Sequence, residues 1–212
     1  MTSPDTLDGG INEDDRDETE AALAAAIAAL LAAKAAGAPW LSLIQGSLSG
    51  IITDYLRRSA YDMAVAAGMS STEAAQAADE ATAAVLGDIE RHSAEWLKIS
   101  ADDRAPLEGG PMDADQADQA AQIIATSLAT YSRERVREDV AKRLGAGFKR
   151  WTSKNDNRVR ETHRQLNGQT KKLDKPFTVD GMDIMRPGDP GAPLELTIQC
   201  RCWCLYLVNS AA

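Results

Sequence analysis

Between Thr19 and Leu144 the larger apolar residues recur three and four apart on an alanine-rich background. That spacing places Leu23, Ile27, Leu30 and Leu31 along one side of a helix. Gly37 and Pro39 predict its stop. A second helix follows over 40–67, with Leu41, Ile44, Leu48, Ile51, Ile52, Tyr55 and Leu56 as its stripe. Gly46 and Gly50 on it would admit a close neighbour. Gly68 ends that helix, and Ser70 with Glu73 reads as a capping box for a third over 72–98, lined by Ala77, Ala81, Val85, Ile89 and Trp96. Pro106, Gly109, Gly110 and Pro111 then break the pattern. Asp113 caps a fourth helix, whose buried side is Ile124, Leu128, Tyr131, Val136, Val140 and Leu144, and Gly145 and Gly147 stop it. Alanine favours helix but buries little area, so such helices lean on neighbours. That points toward assembly.

From Phe148 the periodicity changes. Residues 148–152 predict a short strand, and 155–166 a short helix ended by the left-handed stop Asn167-Gly168. Residues 169–193 read as irregular, punctuated by Pro176, Pro187, Gly188, Pro190, Gly191 and Pro193. Leu194, Leu196, Ile198, Cys200, Cys202, Cys204, Tyr206 and Val208 alternate as one face of a single strand. The expected fold class is α+β. Residues 1–18 form an acidic disordered arm, 19–147 a mostly helical region, and 148–212 a small α+β module, as separate architectural units.

The net charge of −9 is uneven: residues 133–175 carry 14 Lys/Arg against 6 Asp/Glu, so that segment is +8 and the remainder −17. Such a segment is either a solvated helix face with paired charges or a contact for nucleic acid or an acidic partner. The three cysteines, at 200, 202 and 204, lie too close together to staple distant parts of the chain, and reduced thiols fit a cytosolic site of assembly. The acidic N-terminus lacks the basic start of a signal peptide. Ala21–Ala36 is too short and too weakly apolar to span a membrane. A soluble protein is expected.

Asp156, Arg160, His163 and Asn167 recur at i, i+4, i+7 and i+11, near one face of the expected short helix, where Asp156 and Arg160 can pair. If the cysteine strand packs there, His163, Cys200 and Cys202 could surround a zinc ion. Alternate strand residues sit about 6–7 Å apart at Cα, so two reach one ion only if the strand bends. Otherwise the cysteines are small buried hydrophobes continuing the apolar stripe, and His163 is a hydrogen-bonded structural residue. A Gly-rich phosphate loop, a serine elbow and a His-Glu-x-x-His helix are missing from the sequence. The enzymatic alternative is a metal-dependent nuclease or toxin-like enzyme built on His163 and the cysteines, with Asp156 or Asp174 in support.

The order Lys149-Arg150-Trp151-Thr152, Asp156-x-Arg158-Val159-Arg160-x-x-His163 and Leu166-Asn167-Gly168-Gln169 resembles the phage Mu F-like head morphogenesis (minor head protein) family. Asp174-x-Pro176-Phe177, the Pro187-Gly188-Asp189-Pro190 turn and Cys200-Arg201-Cys202 continue the likeness. The sequence departs from the family pattern at three places, one of them Cys204, an extra cysteine. Gln199 stands where the family usually has Asn, and Thr126-Ser127 where its helix often has Thr-Glu. The resemblance implies a minor head protein of a tailed phage or prophage-derived particle, acting in head assembly and DNA packaging or delivery and not as an enzyme. It implies a portal-associated minor capsid protein of the virion, located in the head interior and in the host cytoplasm during assembly. Its partners would be the portal and major capsid proteins, with no membrane. Trp151, Asp156, Arg158, Arg160, His163, Gly168, Phe177, Cys200, Arg201 and Cys202 would define the fold, the arginines held by acidic or backbone partners. Near packaged DNA, Arg133, Arg135, Arg137, Lys149, Arg150, Lys171 and Lys172 would offer a phosphate-facing surface.

Overall fold

The computed structural model describes residues 6–7, 13–35, 40–102 and 114–208. The expected breaks at Gly37, Pro39, Pro106, Gly109, Gly110 and Pro111, and the Asp113 cap, lie outside the described residues, as do the side chains of Leu41, Ile44 and Trp96. Four long helices form where the periodicity predicts them: α1 (Glu13–Ala35), α2 (Trp40–Ala66), α3 (Ser71–Asp102) and α4 (Ala114–Arg143). The capping box is present at the start of α3. Ser70 N and Oγ donate to Glu73 Oε2 at 2.9 and 2.6 Å, and Glu73 N donates back to Ser70 Oγ at 3.4 Å.

Helix α1 lies along α4 and α2 along α3, while α4 touches all three others. The predicted stripes face inward: Leu23, Ile27 and Leu30; Leu48, Ile52, Tyr55 and Leu56; Val85 and Ile89; Ile124, Leu128, Val136 and Val140. Buried alanines such as Ala60, Ala64, Ala78, Ala81, Ala125 and Ala129 fill the space between them. Small side chains let the backbones approach, at the expense of the larger area that leucines would bury. One cluster of buried apolar residues continues from Leu23 on α1 to Tyr206 near the end of the chain.

Helix α4 ends at Gly145, whose φ of +83° needs a residue without Cβ, and Ala146 N closes onto Ala141 O. The chain then enters β2 (Phe148–Thr152) and the helix α5 (Glu161–Leu166). Next come β3 (Thr170–Lys172), the hairpin β4 (Phe177–Val179) with β5 (Met182–Ile184), the one-turn helix α6 (Leu194–Thr197) and β6 (Trp203–Leu207). β1 (Thr6–Leu7), β6, β2 and β3 make a sheet in that order, antiparallel throughout, and β4 with β5 a separate two-stranded one. Trp151 pairs with Cys204 and Lys149 with Tyr206, and all four are buried. The α+β class holds.

Four local expectations are corrected. Within the acidic arm, Thr6 and Leu7 pair with Leu207 and Tyr206, covering the free edge of β6, and α1 already begins at Glu13. Residues 155–160 are not helical: the helix is only Glu161–Leu166, with Arg160 as an extended N-cap. Leu194–Val208 is not one strand either. It is a turn of helix, a left-handed residue at Gln199 (φ +51°), and a strand starting at Trp203. The segment 169–193 holds three short strands that its turn residues mask in the sequence.

Candidate functional site

Helix α4 holds the approach to β6 by side-chain hydrogen bonds from one face. Ser127 Oγ accepts from Gln199 N at 3.4 Å, and Thr130 Oγ1 donates to Cys200 O at 2.8 Å. One turn on, Arg133 Nη2 donates to Cys202 O at 3.0 Å, and Glu134 Oε2 accepts from Cys204 N at 2.9 Å. These positions recur at i, i+3, i+6 and i+7, a face turned toward one strand. β1 pairs only with residues 206–207, so this stretch would otherwise leave peptide groups buried without partners. The α4 side chains supply them. Glu134 also accepts from Arg133 Nε at 3.1 Å, balancing the buried guanidinium.

The bend at Gln199 turns Cys200 and Cys202 toward α5. His163, Cys200 and Cys202 are all buried, and their ligand-type atoms lie within 4.8 Å of one another. His163 Nδ1 is 3.4 Å from Cys202 Sγ and 3.8 Å from Cys200 Sγ. Its other nitrogen, Nε2, is 3.0 Å from Leu196 O. A carbonyl only accepts, so Nε2 carries the proton in the neutral ring, and the Nδ1 lone pair faces both sulfurs. Trp151 packs edge-on against the imidazole at 5.7 Å, and Phe177 edge-on against Trp151 at 5.3 Å. Burial would raise the Cys200 thiol, but the neighbouring Cys202 and His163 groups outweigh it and hold it well below the ordinary thiol range. The hydrogen bond to Cys200 and then burial push Cys202 up.

Cys202 and His163 form part of the wall of a polar cleft of about 350 Å³ between α1, α4 and the loop before α5. Arg16, Lys154, Arg158, Arg160 and Arg201 line it, with Asp17 and Glu20 facing them. Asp156 takes both Arg201 terminal nitrogens, at 2.8 and 2.7 Å, which holds its carboxyl below the usual range against a smaller opposing effect of burial. Arg160 Nη2 donates to Ile198 O. Glu20 bridges Arg16 Nε at 2.6 Å and Thr126 Oγ1 at 3.0 Å, tying α1 to α4 beside the cleft.

The structure brings together His163, Cys200 and Cys202, and separately Asp156 and Arg201. It does not pair Asp156 with Arg160. Arg160 and Arg201 have backbone and acidic partners, whereas the Arg158 side chain is exposed on the cleft wall, its backbone N donating to Asp156 Oδ1 at 3.0 Å. Cys204 is buried away from the histidine group, and burial raises its thiol. Gly168 (φ +83°) closes α5 and donates to Trp151 O at 2.8 Å.

The proposed phosphate-facing cations are mostly not on a surface. Arg133 and Arg137 are buried, and Lys149 is buried with Nζ donating to Met185 O at 2.6 Å over the Phe177 ring. Half-buried Arg135 pairs with Asp88 at 3.1 Å, and Arg150 donates to Thr170 Oγ1 at 3.0 Å. Lys171 is half-buried and Lys172 exposed. Glu134 and Glu138 escaped the sequence reading, although two carboxylates four apart among arginines were a visible sign of buried pairing. The Leu196 carbonyl left no sign.

The geometry defines a class first: a helical platform bonded side chain to backbone onto a small sheet module whose motif residues are engaged in holding it together. The chain belongs to the phage Mu protein F like protein family, whose model matches residues 58–205. This is the head morphogenesis family that the C-terminal motifs resemble, and the match extends from them back across α3 and into α2. Comparisons with curated proteins and with solved structures returned no match. Among the described residues no helix is long and apolar enough to cross a membrane.

Proposed function

We propose that this chain is a minor head protein of a tailed phage or prophage-derived particle. In this reading it sits in the head interior with the portal and major capsid proteins, after assembly in the host cytoplasm. It acts structurally in head assembly and in DNA packaging or delivery. The family match over residues 58–205 carries the reading. The engagement of the motif residues within the fold supports a structural role. His163 turns one ring nitrogen to Leu196 O and the other to two sulfurs, so neither is aimed at the cleft as a base. The nuclease or toxin-like alternative would draw on the same His163, Cys200 and Cys202 group, whose arrangement by itself assigns no reaction.

Mass spectrometry of purified particles and proheads is expected to find the chain in both, and pull-down to recover portal and major capsid protein with it. Its absence from both particle forms would overturn the proposal. Contact with double-stranded DNA, in this reading, falls to exposed cations such as Lys154, Arg158 and Lys172. Charge reversal at these three is expected to weaken DNA retention and flatten its salt dependence. Reversal at Arg133 or Arg137 places a carboxylate in the core and tests folding instead.

A further inference from the structure

We infer that His163 Nδ1, Cys200 Sγ and Cys202 Sγ form a zinc site with three protein ligands and a fourth position open to the polar cleft. The inference rests on ligand geometry alone and stands or falls apart from the head-protein reading. Tetrahedral zinc, with Zn–S near 2.3 Å and Zn–N near 2.0–2.1 Å, sets sulfur and nitrogen about 3.6 Å apart. The two observed separations, 3.4 and 3.8 Å, straddle that edge length. The histidine is oriented as a metal ligand is: Nε2–H is fixed on a backbone carbonyl, which leaves Nδ1 as the free lone pair.

Without an ion, two sulfurs converge on one lone pair that can accept from only one of them. With Zn²⁺, two thiolates and a neutral imidazole sum to zero charge, which suits a group of three buried ligands. Cys200, Arg201 and Cys202 lie ahead of β6, which begins at Trp203, so the straight-strand spacing that would hold the two cysteines too far apart does not apply to them. Cys204 lies within β6 and is not a ligand. His163 and Cys202 line the cleft wall, so the fourth ligand comes from that side, as water or a small anion. The ion would clasp α5 to the turn that leads into β6.

The full chain, purified under reducing conditions, is expected to carry about one zinc per chain by elemental analysis. Replacing the zinc with Co²⁺ is expected to give visible tetrahedral bands and a near-ultraviolet thiolate charge-transfer band. His163→Ala and Cys202→Ser should lose the bands or bind Co²⁺ at least about tenfold more weakly. Cys204→Ala should retain them. Added azide should shift the visible bands if the fourth position is open. Because the Co²⁺ titration is made on wild-type protein, a ligand variant that fails to fold does not block the test. A folded wild-type chain with neither zinc nor a Co²⁺ spectrum would overturn the site. Bands that survive Cys202→Ser would overturn the ligand assignment, and bands indifferent to azide would overturn the open position.

Discussion

Gly188 sits where the Pro187-Gly188-Asp189-Pro190 turn meets α4. Its φ is +73°, and a Cβ there would lie 2.8 Å from Tyr131 N and 3.2 Å from Tyr131 Cα. Backbone cannot yield as a side-chain tip can. Gly188→Ala is expected to destabilise the fold by about 2–4 kcal/mol, combining left-handed strain with overpacking. Urea unfolding would show it as a lower midpoint, and an unchanged midpoint would mean the turn does not pack there. Gln199 has the opposite status: left-handed at +51° but exposed, so its cost is conformational alone. The family's usual Asn tolerates this region better than Gln. Gln199→Asn is expected to gain about 0.5 kcal/mol and Gln199→Val to lose about 1–2 kcal/mol in the same measurement. Two of the departures from the family pattern also meet here, Gln199 N donating to Ser127 Oγ.

At the scale of elements, the junction of α4 with β6 rests on Glu134. It is fully buried and accepts from both Arg133 Nε and Cys204 N. Glu134→Ala strands a buried guanidinium and a strand N–H, and is expected to cost about 3–5 kcal/mol. The double variant Arg133→Met with Glu134→Leu should cost less than the single, because the unpaired charge leaves with its partner. Chemical denaturation of both variants checks the order; a double worse than the single would refute it. The helices themselves were legible because their stripes are long. Leu23, Ile27, Ile124 and Leu128 are buried where a period near 3.6 places them. The sheet module was less so. Leu194–Thr197 spans one helical turn, over which alternation and helical spacing both bury Leu196. The partner that takes Asp156 away from Arg160 is Arg201, 45 residues along the chain, and no local spacing reports it. The arginines of α4 looked like a charged surface because their acceptors, such as the Cys202 carbonyl ahead of β6 and the Asp88 carboxylate on α3, are distant in sequence. His163 with the cysteines was legible as a composition, but the bend that gathers them was not.

Across the whole molecule, α4 is the element that the bundle and the sheet module share. Tyr131 OH and Arg135 Nε reach Asp88 on α3 at 2.9 and 3.1 Å, and Glu20 on α1 takes Thr126. On the other side Glu138 takes Arg186 at 3.0 Å, fastening the 186–191 turn, with Lys142 at 2.8 Å. Burial would raise the Glu138 carboxyl, but the Arg186 guanidinium and the Lys142 ammonium outweigh it and hold it at about 2, against an ordinary 4.5. A carboxyl depressed on folding stabilises fully above its unfolded value and loses that contribution as pH falls toward its folded value. The window is therefore pH 4.5 down to about 2, and the shift corresponds to about 3 kcal/mol. Wild type and Glu138→Gln should differ most in urea midpoint at neutral pH and converge through that window, since protonation makes the wild-type side chain neutral as well. Midpoints that stay parallel down to the acid end would show that the junction between α4 and the sheet module does not depend on this ion pair.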